Sequence, residues 1–141
     1  MASSLKLEYY KNLLCSMKVA KLRGKINIAK PIMLLTIITL IGEGKIIGNK
    51  ISFTNDIINT YNEIFLSYRP GNVTRPIYPF YYLKSEEFYY INGNTSRCTP
   101  SAKYLRENVE YAVLDDQLWD MLQDANIREE LKQSIIKYFL R

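Results

Sequence analysis

The amino-acid sequence predicts one mainly helical α+β domain over residues 1–141. Three observations favour this fold class. Apolar residues make up 48% of the chain and charged residues 23%, which is typical of a globular protein with a buried core. Apolar side chains recur at helical spacing through several long segments. Two short aromatic segments flank a polar turn in the middle of the chain, as the strands of a small antiparallel sheet do.

The first half of the chain is expected to contain three helices. The first spans residues 5–22, where apolar side chains recur at i, i+3, i+4 and i+7, and it ends before Gly24. The second begins at Pro31 and ends before Gly42. It is apolar on nearly every side, which predicts the central core helix. Thr54 caps the third helix, whose expected buried stripe consists of Ile57, Tyr61, Ile64 and Tyr68.

Two β-hairpins are expected. The first has Gly48-Asn49 as its two-residue turn and lies between the second and third helices, an order vaguely similar to a winged-helix arrangement. The second consists of strands at residues 78–83 and 88–91, packed on the helices. One further strand is expected at residues 111–114. The sheet is therefore small, and the helices form most of the core.

Three helices complete the predicted domain. A short one starts at Thr99-Pro100 and carries Lys103 and Arg106. Asp115 caps the next, and the last spans residues 126–140. Their expected inward side chains are Leu118, Trp119, Leu122, Ile127, Leu131, Ile135 and Phe139.

The segment from Tyr78 to Tyr90 is rich in aromatic residues. Seven of its thirteen residues are aromatic, although the whole chain has only 12 Tyr, 5 Phe and 1 Trp. Pro79 lacks a backbone N–H and stiffens the chain, so we expect it at the entrance of a strand. Tyr78 and Pro79 then either present a rigid apolar surface near solvent or simply open a core strand. The aromatic residues that follow are expected to be core and cross-strand packing: Phe80, Tyr82, Phe88 and Tyr90.

Charge is distributed unevenly along the chain. Residues 1–106 carry 15 Lys and Arg against 6 Asp and Glu, whereas residues 107–141 carry 4 against 8. These net charges of +9 and −4 sum to the formal charge of +5. A basic body favours a surface for a polyanion, although an unevenly charged, solvated surface is the alternative. Within the basic part, Lys11, Lys18, Lys21 and Lys25 are expected to line one side of the first helix.

The composition excludes several kinds of chemistry. The chain has no histidine, which excludes Ser-His and Cys-His catalysis and His-ligated zinc within these residues. Cys15 and Cys98 are too few for a structural zinc site, and the glycines form no phosphate-binding loop. We therefore expect a binding protein without enzyme activity or cofactor. The absence of a signal-like N-terminus and of a sufficiently long apolar run predicts a cytoplasmic protein with unpaired cysteines and no membrane contact.

Several short sequence words, in this order, resemble the sulfur-binding domain of modification-dependent restriction enzymes of bacteria. That domain usually precedes an HNH nuclease domain and recognises DNA in which sulfur replaces one non-bridging phosphate oxygen, a phosphorothioate. The words that carry the resemblance are Ala29-Lys30-Pro31-Ile32-Met33-Leu34-Leu35, Ile51 in its hairpin, Tyr78-Pro79-Phe80-Tyr81-Tyr82-Leu83, Glu87-Phe88-Tyr89, Ala112-Val113-Leu114-Asp115 and Leu118-Trp119-Asp120-Met121-Leu122.

The resemblance implies roles for individual residues. The Tyr-Pro pair that walls the sulfur pocket in the family corresponds to Tyr78 and Pro79, and the family's cation before proline corresponds to Lys30. Ala29 stands where the family has histidine, which removes one polar contact near the phosphate. No nuclease domain is recognisable in these residues, so no cleavage activity is carried over. The resemblance implies double-stranded DNA as the partner, together with a second copy of the chain or a separate nuclease.

Cations must supply most of the affinity of such a site, because an aromatic–sulfur contact is worth only about 0.3–1.5 kcal/mol. Lys30, Arg75 and Arg106 are the expected phosphate contacts, with Lys103 beside them. Each has an ordinary solvated charge as its alternative role. The competing hypothesis for the chain is a protein–protein interaction or oligomerisation domain, followed by a winged-helix regulator and, last, an enzyme with paired carboxylates.

Overall fold

The computed structural model describes residues 4–97 and 99–140. Over these residues the chain forms seven α-helices, one 3-10 turn and two small antiparallel sheets, and 56% of it is helical. The predicted mainly helical α+β class is confirmed. No described helix is long and apolar enough to cross a membrane. Cys15 is half-buried, and the expectation for Cys98 lies outside the described residues.

The elements in chain order have the following bounds. The helices are α1 (Ser4–Cys15), α2 (Ala29–Gly42), α3 (Asn55–Tyr68), α4 (Ile77–Tyr82), α5 (Ala102–Asn108), α6 (Asp116–Met121) and α7 (Ala125–Phe139), and the 3-10 turn spans Leu83–Ser85. The strands are β1 (Lys21–Leu22), β2 (Lys25–Ile26), β3 (Tyr89–Gly93) and β4 (Val109–Leu114).

Helix α2 is the centre of the core, as predicted. Eleven of its residues are buried, and it packs against α3, α4 and α7. The helix begins at Ala29, two residues before Pro31, because Asn27 Oδ1 accepts a hydrogen bond from the Ala29 N–H at 2.9 Å. Pro31 is therefore the third residue of the first turn, where its missing N–H leaves no hydrogen bond unmade.

The expected first helix over residues 5–22 is wrong in its second half. Helix α1 ends at Cys15, and residues 21–26 form the antiparallel pair β1–β2. Arg23 and Gly24 make the turn, with φ angles of +53° and +79°. Two successive residues in the left-handed region are typical of a two-residue hairpin turn, which reverses the chain before helical spacing can continue. The expected row of lysines along one helix therefore does not form.

Helix α3 begins where predicted, but the prediction of a hairpin before it is wrong. The Thr54 hydroxyl accepts a hydrogen bond from the Ile57 N–H at 3.3 Å. Residues on both sides of Gly48-Asn49 form a loop instead of a hairpin, so the winged-helix-like middle is absent from the described residues. Ile51 instead exchanges two backbone hydrogen bonds of 2.8 Å with Ala112 of β4. The buried face of α3 consists of Ile57, Tyr61 and Phe65, whereas Ile64 is half-buried and Tyr68 is exposed.

The predicted strand at residues 78–83 is a helix. Pro76 stands immediately before α4 and Pro79 is the third residue of its first turn, so neither proline interrupts a hydrogen bond. The predicted strand at 88–91 forms as β3, but its partner is β4, which contains the predicted strand at 111–114. The aromatic segment is thus divided between a helix and a strand. Phe80 and Phe88 are in the core, as expected, while Tyr82 and Tyr90 are exposed.

The last two helices follow the prediction closely. Asp124 caps α7 by accepting from the N–H groups of Asn126 and Ile127. Asp115 precedes α6, but its carboxylate accepts from the Tyr10 hydroxyl at 2.5 Å instead of capping the helix. That bond joins α1 to the end of β4. The inward side chains Leu118, Leu122, Leu131, Ile135 and Phe139 are buried, whereas Trp119 and Ile127 are half-buried.

Candidate functional site

A surface cavity of about 300 Å³ brings together four of the residues that the sequence singled out. It lies between the segment after α1, the start of α2, helix α4 and the 3-10 turn. Tyr78, Pro79, Ala29 and Lys30 all line it, and we call it the Tyr-Pro pocket. Its volume is roughly ten times the ~30 Å³ share of one water molecule, so the pocket admits a chemical group such as a phosphodiester and not only a single atom.

The apolar wall of the Tyr-Pro pocket depends on α4 being a helix. Tyr78 and Tyr82 are four residues apart and therefore lie on one face, with ring centroids 6.4 Å apart and ring planes inclined by 19°. Both rings and buried Pro79 line the pocket. Phe80 and Tyr81 lie on the opposite face and pack in the core. In a strand, Tyr78 and Phe80 would lie on the same face, so one could not line the pocket while the other packs in the core.

The Lys30 side chain closes the floor of the pocket. Its ammonium group donates to three protein acceptors: the Lys18 carbonyl oxygen at 3.0 Å, Ser85 Oγ at 2.7 Å and Glu86 Oε2 at 3.0 Å. An ammonium group has three N–H donors, so all of them are engaged within the protein. Lys30, the expected phosphate contact, lines the pocket, but its ammonium group holds no donor in reserve for a ligand.

Glu86 is the residue of the site that sequence reasoning missed. Its side chain is 7% exposed, and Oε2 accepts from the Lys30 ammonium group, from Ser85 Oγ at 3.3 Å and from the Lys18 backbone N–H at 3.0 Å. One carboxylate therefore joins the segment after α1, the start of α2 and the 3-10 turn. It also balances the charge of Lys30, so the floor of the pocket is close to neutral.

The rim of the Tyr-Pro pocket holds polar groups that are free within the described part of the chain. Lys18 lines the pocket, and its ammonium group has no hydrogen bond or ion pair there. The same holds for the Asn27 amide nitrogen and the Thr74 hydroxyl. The β1–β2 hairpin begins three residues after Lys18 and exposes Lys21, Arg23 and Lys25. The basic part of the chain thus continues along this rim, although not as a helix face.

A second, smaller cavity contains two of the other predicted cations. Arg75 and Arg106 line a cleft of about 200 Å³ together with the apolar residues Phe53, Ile58, Pro76 and Ile77, and we call it the arginine cleft. Both arginines are exposed, and neither guanidinium group makes a hydrogen bond or ion pair with a described residue. Lys103 is exposed on α5, one turn before Arg106, but it does not line this cleft.

The two cavities share one short piece of chain. Arg75 precedes the first turn of α4 and lines the arginine cleft, whereas Tyr78 and Pro79 lie within that turn and line the Tyr-Pro pocket. A ligand with successive anionic groups, such as a nucleic-acid backbone, is suited to neighbouring sites of this kind. Among the described residues, no group of three His, Cys, Asp or Glu side chains is placed to hold a metal ion.

Comparison with known proteins gives no assignment for this site. The chain matches no protein-family model, and no curated protein matches it.

Proposed function

We propose that the chain binds double-stranded DNA through the phosphate backbone and prefers a backbone that carries a phosphorothioate. The observation that carries the proposal is the meeting of Tyr78, Pro79 and Ala29 around one pocket, although residues 29 and 78 are far apart in sequence. Helix α2 and helix α4 bring them together. The pocket is apolar on this side and basic at its rim, which suits a soft atom attached to an anion.

The chemistry of sulfur explains the preference. Sulfur is larger and more polarisable than oxygen and is the weaker hydrogen-bond acceptor. A wall formed by a proline ring and a tyrosine ring gives it dispersion and sulfur–aromatic contacts. A phosphate oxygen in the same place would lose its hydrogen bonds to water and gain few in return. The wall therefore favours sulfur, which gains these contacts and loses less than oxygen does when it leaves water.

The free cations supply the affinity in this proposal. Lys18 at the pocket rim and the arginine pair in the cleft are available to phosphates, because no described residue is bonded to their charged groups. Lys103 adds charge next to Arg106. Lys30 contributes in a different way, since its donors hold the pocket floor together. Backbone contacts of this kind make binding dependent on salt and insensitive to base sequence.

A pair of duplexes tests the proposal. The two have the same sequence, and one carries a single phosphorothioate, prepared separately as each stereoisomer. We expect one stereoisomer to bind more tightly than the plain duplex at matched salt, as measured by fluorescence anisotropy or gel shift. Equal binding of all duplexes at every salt concentration would rule out the sulfur preference. No binding to any duplex would rule out the DNA-binding function as well.

As a role in the cell, we propose that the chain is the recognition part of a restriction system and acts with a nuclease that supplies cleavage. The competing function, a protein-interaction domain, is favoured by one surface feature. Leu66 and Tyr68 are exposed at the end of α3, and Tyr68 lines an apolar groove together with residues of α2 and α7. Salt-independent self-association without binding to any duplex, measured by analytical ultracentrifugation, would support that alternative.

A further inference from the structure

The floor of the Tyr-Pro pocket is saturated with internal hydrogen bonds. The three donors of the Lys30 ammonium group are directed at Lys18, Ser85 and Glu86, and Lys30 and Ser85 both line the pocket. An anionic oxygen that entered would be removed from water without finding a free donor at the floor, and this desolvation is unfavourable. Sulfur, the weaker acceptor, loses less when it is placed there.

Glu86 differs from the other two acceptors because it carries a charge. Its side chain is 7% exposed and that of Lys30 is 17% exposed, so water screens their attraction only weakly. The Lys18 carbonyl and the Ser85 hydroxyl occupy donors but leave the positive charge in place. Glu86 both occupies a donor and cancels the charge. It therefore decides how strongly the floor of the pocket attracts anions.

We propose that Glu86 is a specificity-determining residue, which holds the Lys30 ammonium group so that an unmodified phosphate oxygen binds weakly in the Tyr-Pro pocket. This inference rests on the proposed function and adds the residue that sets the discrimination. The apolar wall of Tyr78 and Pro79 favours sulfur, while the Glu86–Lys30 ion pair disfavours oxygen. Glu86 acts through Lys30 and is not itself expected to contact the DNA.

The Glu86→Gln variant tests this role. Glutamine has almost the same shape and retains an oxygen that can accept from the Lys18 N–H, but it no longer neutralises Lys30. We expect the affinity for the plain duplex to rise roughly tenfold, because the positive charge of Lys30 is then no longer cancelled. The affinity for the phosphorothioate duplex should rise less, so the ratio of the two affinities falls.

A salt titration provides the readout that a purely structural role would not change. If Glu86→Gln leaves the positive charge of the ammonium group available to one phosphate, the slope of log affinity against log salt concentration should steepen by about 0.9 for the plain duplex. Glu87→Gln is the matched control. It makes the same change in net charge at the next residue, but Glu87 is exposed, so the ratio of affinities and the slope should stay close to those of the parent protein.

A second variant keeps the test decisive if Glu86→Gln fails to fold. Ser85→Ala removes a neutral acceptor from Lys30 and leaves the ion pair with Glu86 in place. It should lower the ratio of affinities in the same direction, but by less than Glu86→Gln. Melting temperatures measured alongside show whether each variant is folded at the temperature of the binding experiment.

The outcomes separate this inference from the proposed function. A parent protein that prefers sulfur, with a reduced preference in Glu86→Gln and an unchanged one in Glu87→Gln, supports both. A parent protein that prefers sulfur, with the same ratio in the Glu86 and Glu87 variants, overturns the role of Glu86 and leaves the proposed function standing. Equal weakening of both duplexes in Glu86→Gln also overturns it and makes Glu86 structural. A parent protein without any sulfur preference overturns both.

Discussion

The Tyr-Pro pocket and the arginine cleft both lie beside helix α4, but Lys30 of the pocket and the two arginines of the cleft are in opposite states. The Lys30 ammonium group in the pocket is fully engaged by protein acceptors, whereas the guanidinium groups of Arg75 and Arg106 in the cleft are bonded to no described residue. In the sequence, Lys30 and the two arginines cannot be distinguished, because all three are basic residues expected to contact phosphate. A cation therefore contributes directly to ligand binding only if the fold leaves its donors free. A cation whose donors are engaged can instead determine which ligand groups a pocket excludes.

Replacing Lys30 should have the largest effect, and the effect should be on stability. Lys30→Ala leaves the buried Glu86 carboxylate without its cation, and breaking a buried ion pair in this way costs about 3–5 kcal/mol. We expect the free energy of unfolding, measured by urea denaturation, to fall by roughly 3 kcal/mol. Arg75→Ala is the control and should change it by less than about 0.5 kcal/mol, as an exposed unpaired residue does. A Lys30→Ala variant that is as stable as the parent protein but binds DNA weakly would contradict this prediction, because Lys30 would then contact the ligand in the same way as the two arginines.

Replacing both arginines should have the next largest effect, on affinity alone. The Arg75→Ala/Arg106→Ala double variant should bind plain and phosphorothioate duplexes equally less well, with a salt slope that is shallower by about 1 for each lost phosphate contact. Anisotropy titrations at several salt concentrations measure this. Lys137→Ala removes an exposed cation from α7 and should leave the slope unchanged. If the double variant loses only the affinity for the phosphorothioate duplex, the cleft and not the pocket recognises sulfur.

Tyr78→Ala should have a smaller and more selective effect. Removing the ring eliminates a sulfur–aromatic contact of about 0.3–1.5 kcal/mol, so the preference for the phosphorothioate duplex should fall by up to roughly tenfold. Binding to the plain duplex should change little, since the ring offers oxygen no comparable contact. Tyr90→Ala, an exposed tyrosine that does not line the pocket, should keep the full preference. Equal losses in the two variants would remove the special role of the pocket wall.

The smallest effect is expected from Tyr61→Phe in the core. Tyr61 is fully buried, and its hydroxyl has no hydrogen-bond partner among the described residues. Unlike the free cations of the two cavities, this unsatisfied group cannot contact a ligand. Removing the hydroxyl should raise the free energy of unfolding by about 1 kcal/mol. A loss of stability in the same denaturation experiment would mean that the hydroxyl is bonded in the folded protein.

The same variant should also change the response to alkaline pH. Burial raises the pKa of the Tyr61 hydroxyl above its ordinary value of 10.0, as it does for Tyr89. A group with a raised folded-state pKa adds stability below its unfolded pKa and loses that contribution as pH rises towards the folded value. The protein should therefore become less stable above about pH 10, and Tyr61→Phe should reduce this loss. The measurement is the melting temperature of the parent protein and of Tyr61→Phe between pH 8 and pH 11. An identical pH dependence of the two proteins would contradict the prediction.

The sequence predicted the residues of the pocket better than the elements that carry them. Tyr78, Pro79 and Lys30 line one pocket, yet the predicted strand at 78–83 is helical. A proline fits equally well at the entrance of a strand and in the first turn of a helix, and aromatic residues favour strands locally. The packing of α4 against α2 and α5 favours the helix over the strand, and the local sequence does not predict these contacts.

Glu86 shows why the rest of the site could not be predicted. Next to Glu87 it reads as one of two solvated acids in a turn, and its cation lies 56 residues earlier in the chain. The loop around Ile51 gives the same lesson, since its pairing partner Ala112 belongs to a distant strand. The cap at Thr54 was easier to predict, because a cap bonds only to the next few residues. Asp115 was also predicted as a cap, but its carboxylate accepts from Tyr10, which is distant in sequence.

The sulfur preference itself is tested most directly by competition between the two duplexes for the parent protein at two salt concentrations. We expect both affinities to fall as salt rises, because phosphates supply most of the binding, while their ratio stays nearly constant and favours the phosphorothioate. A ratio of about one at both salt concentrations would contradict the account.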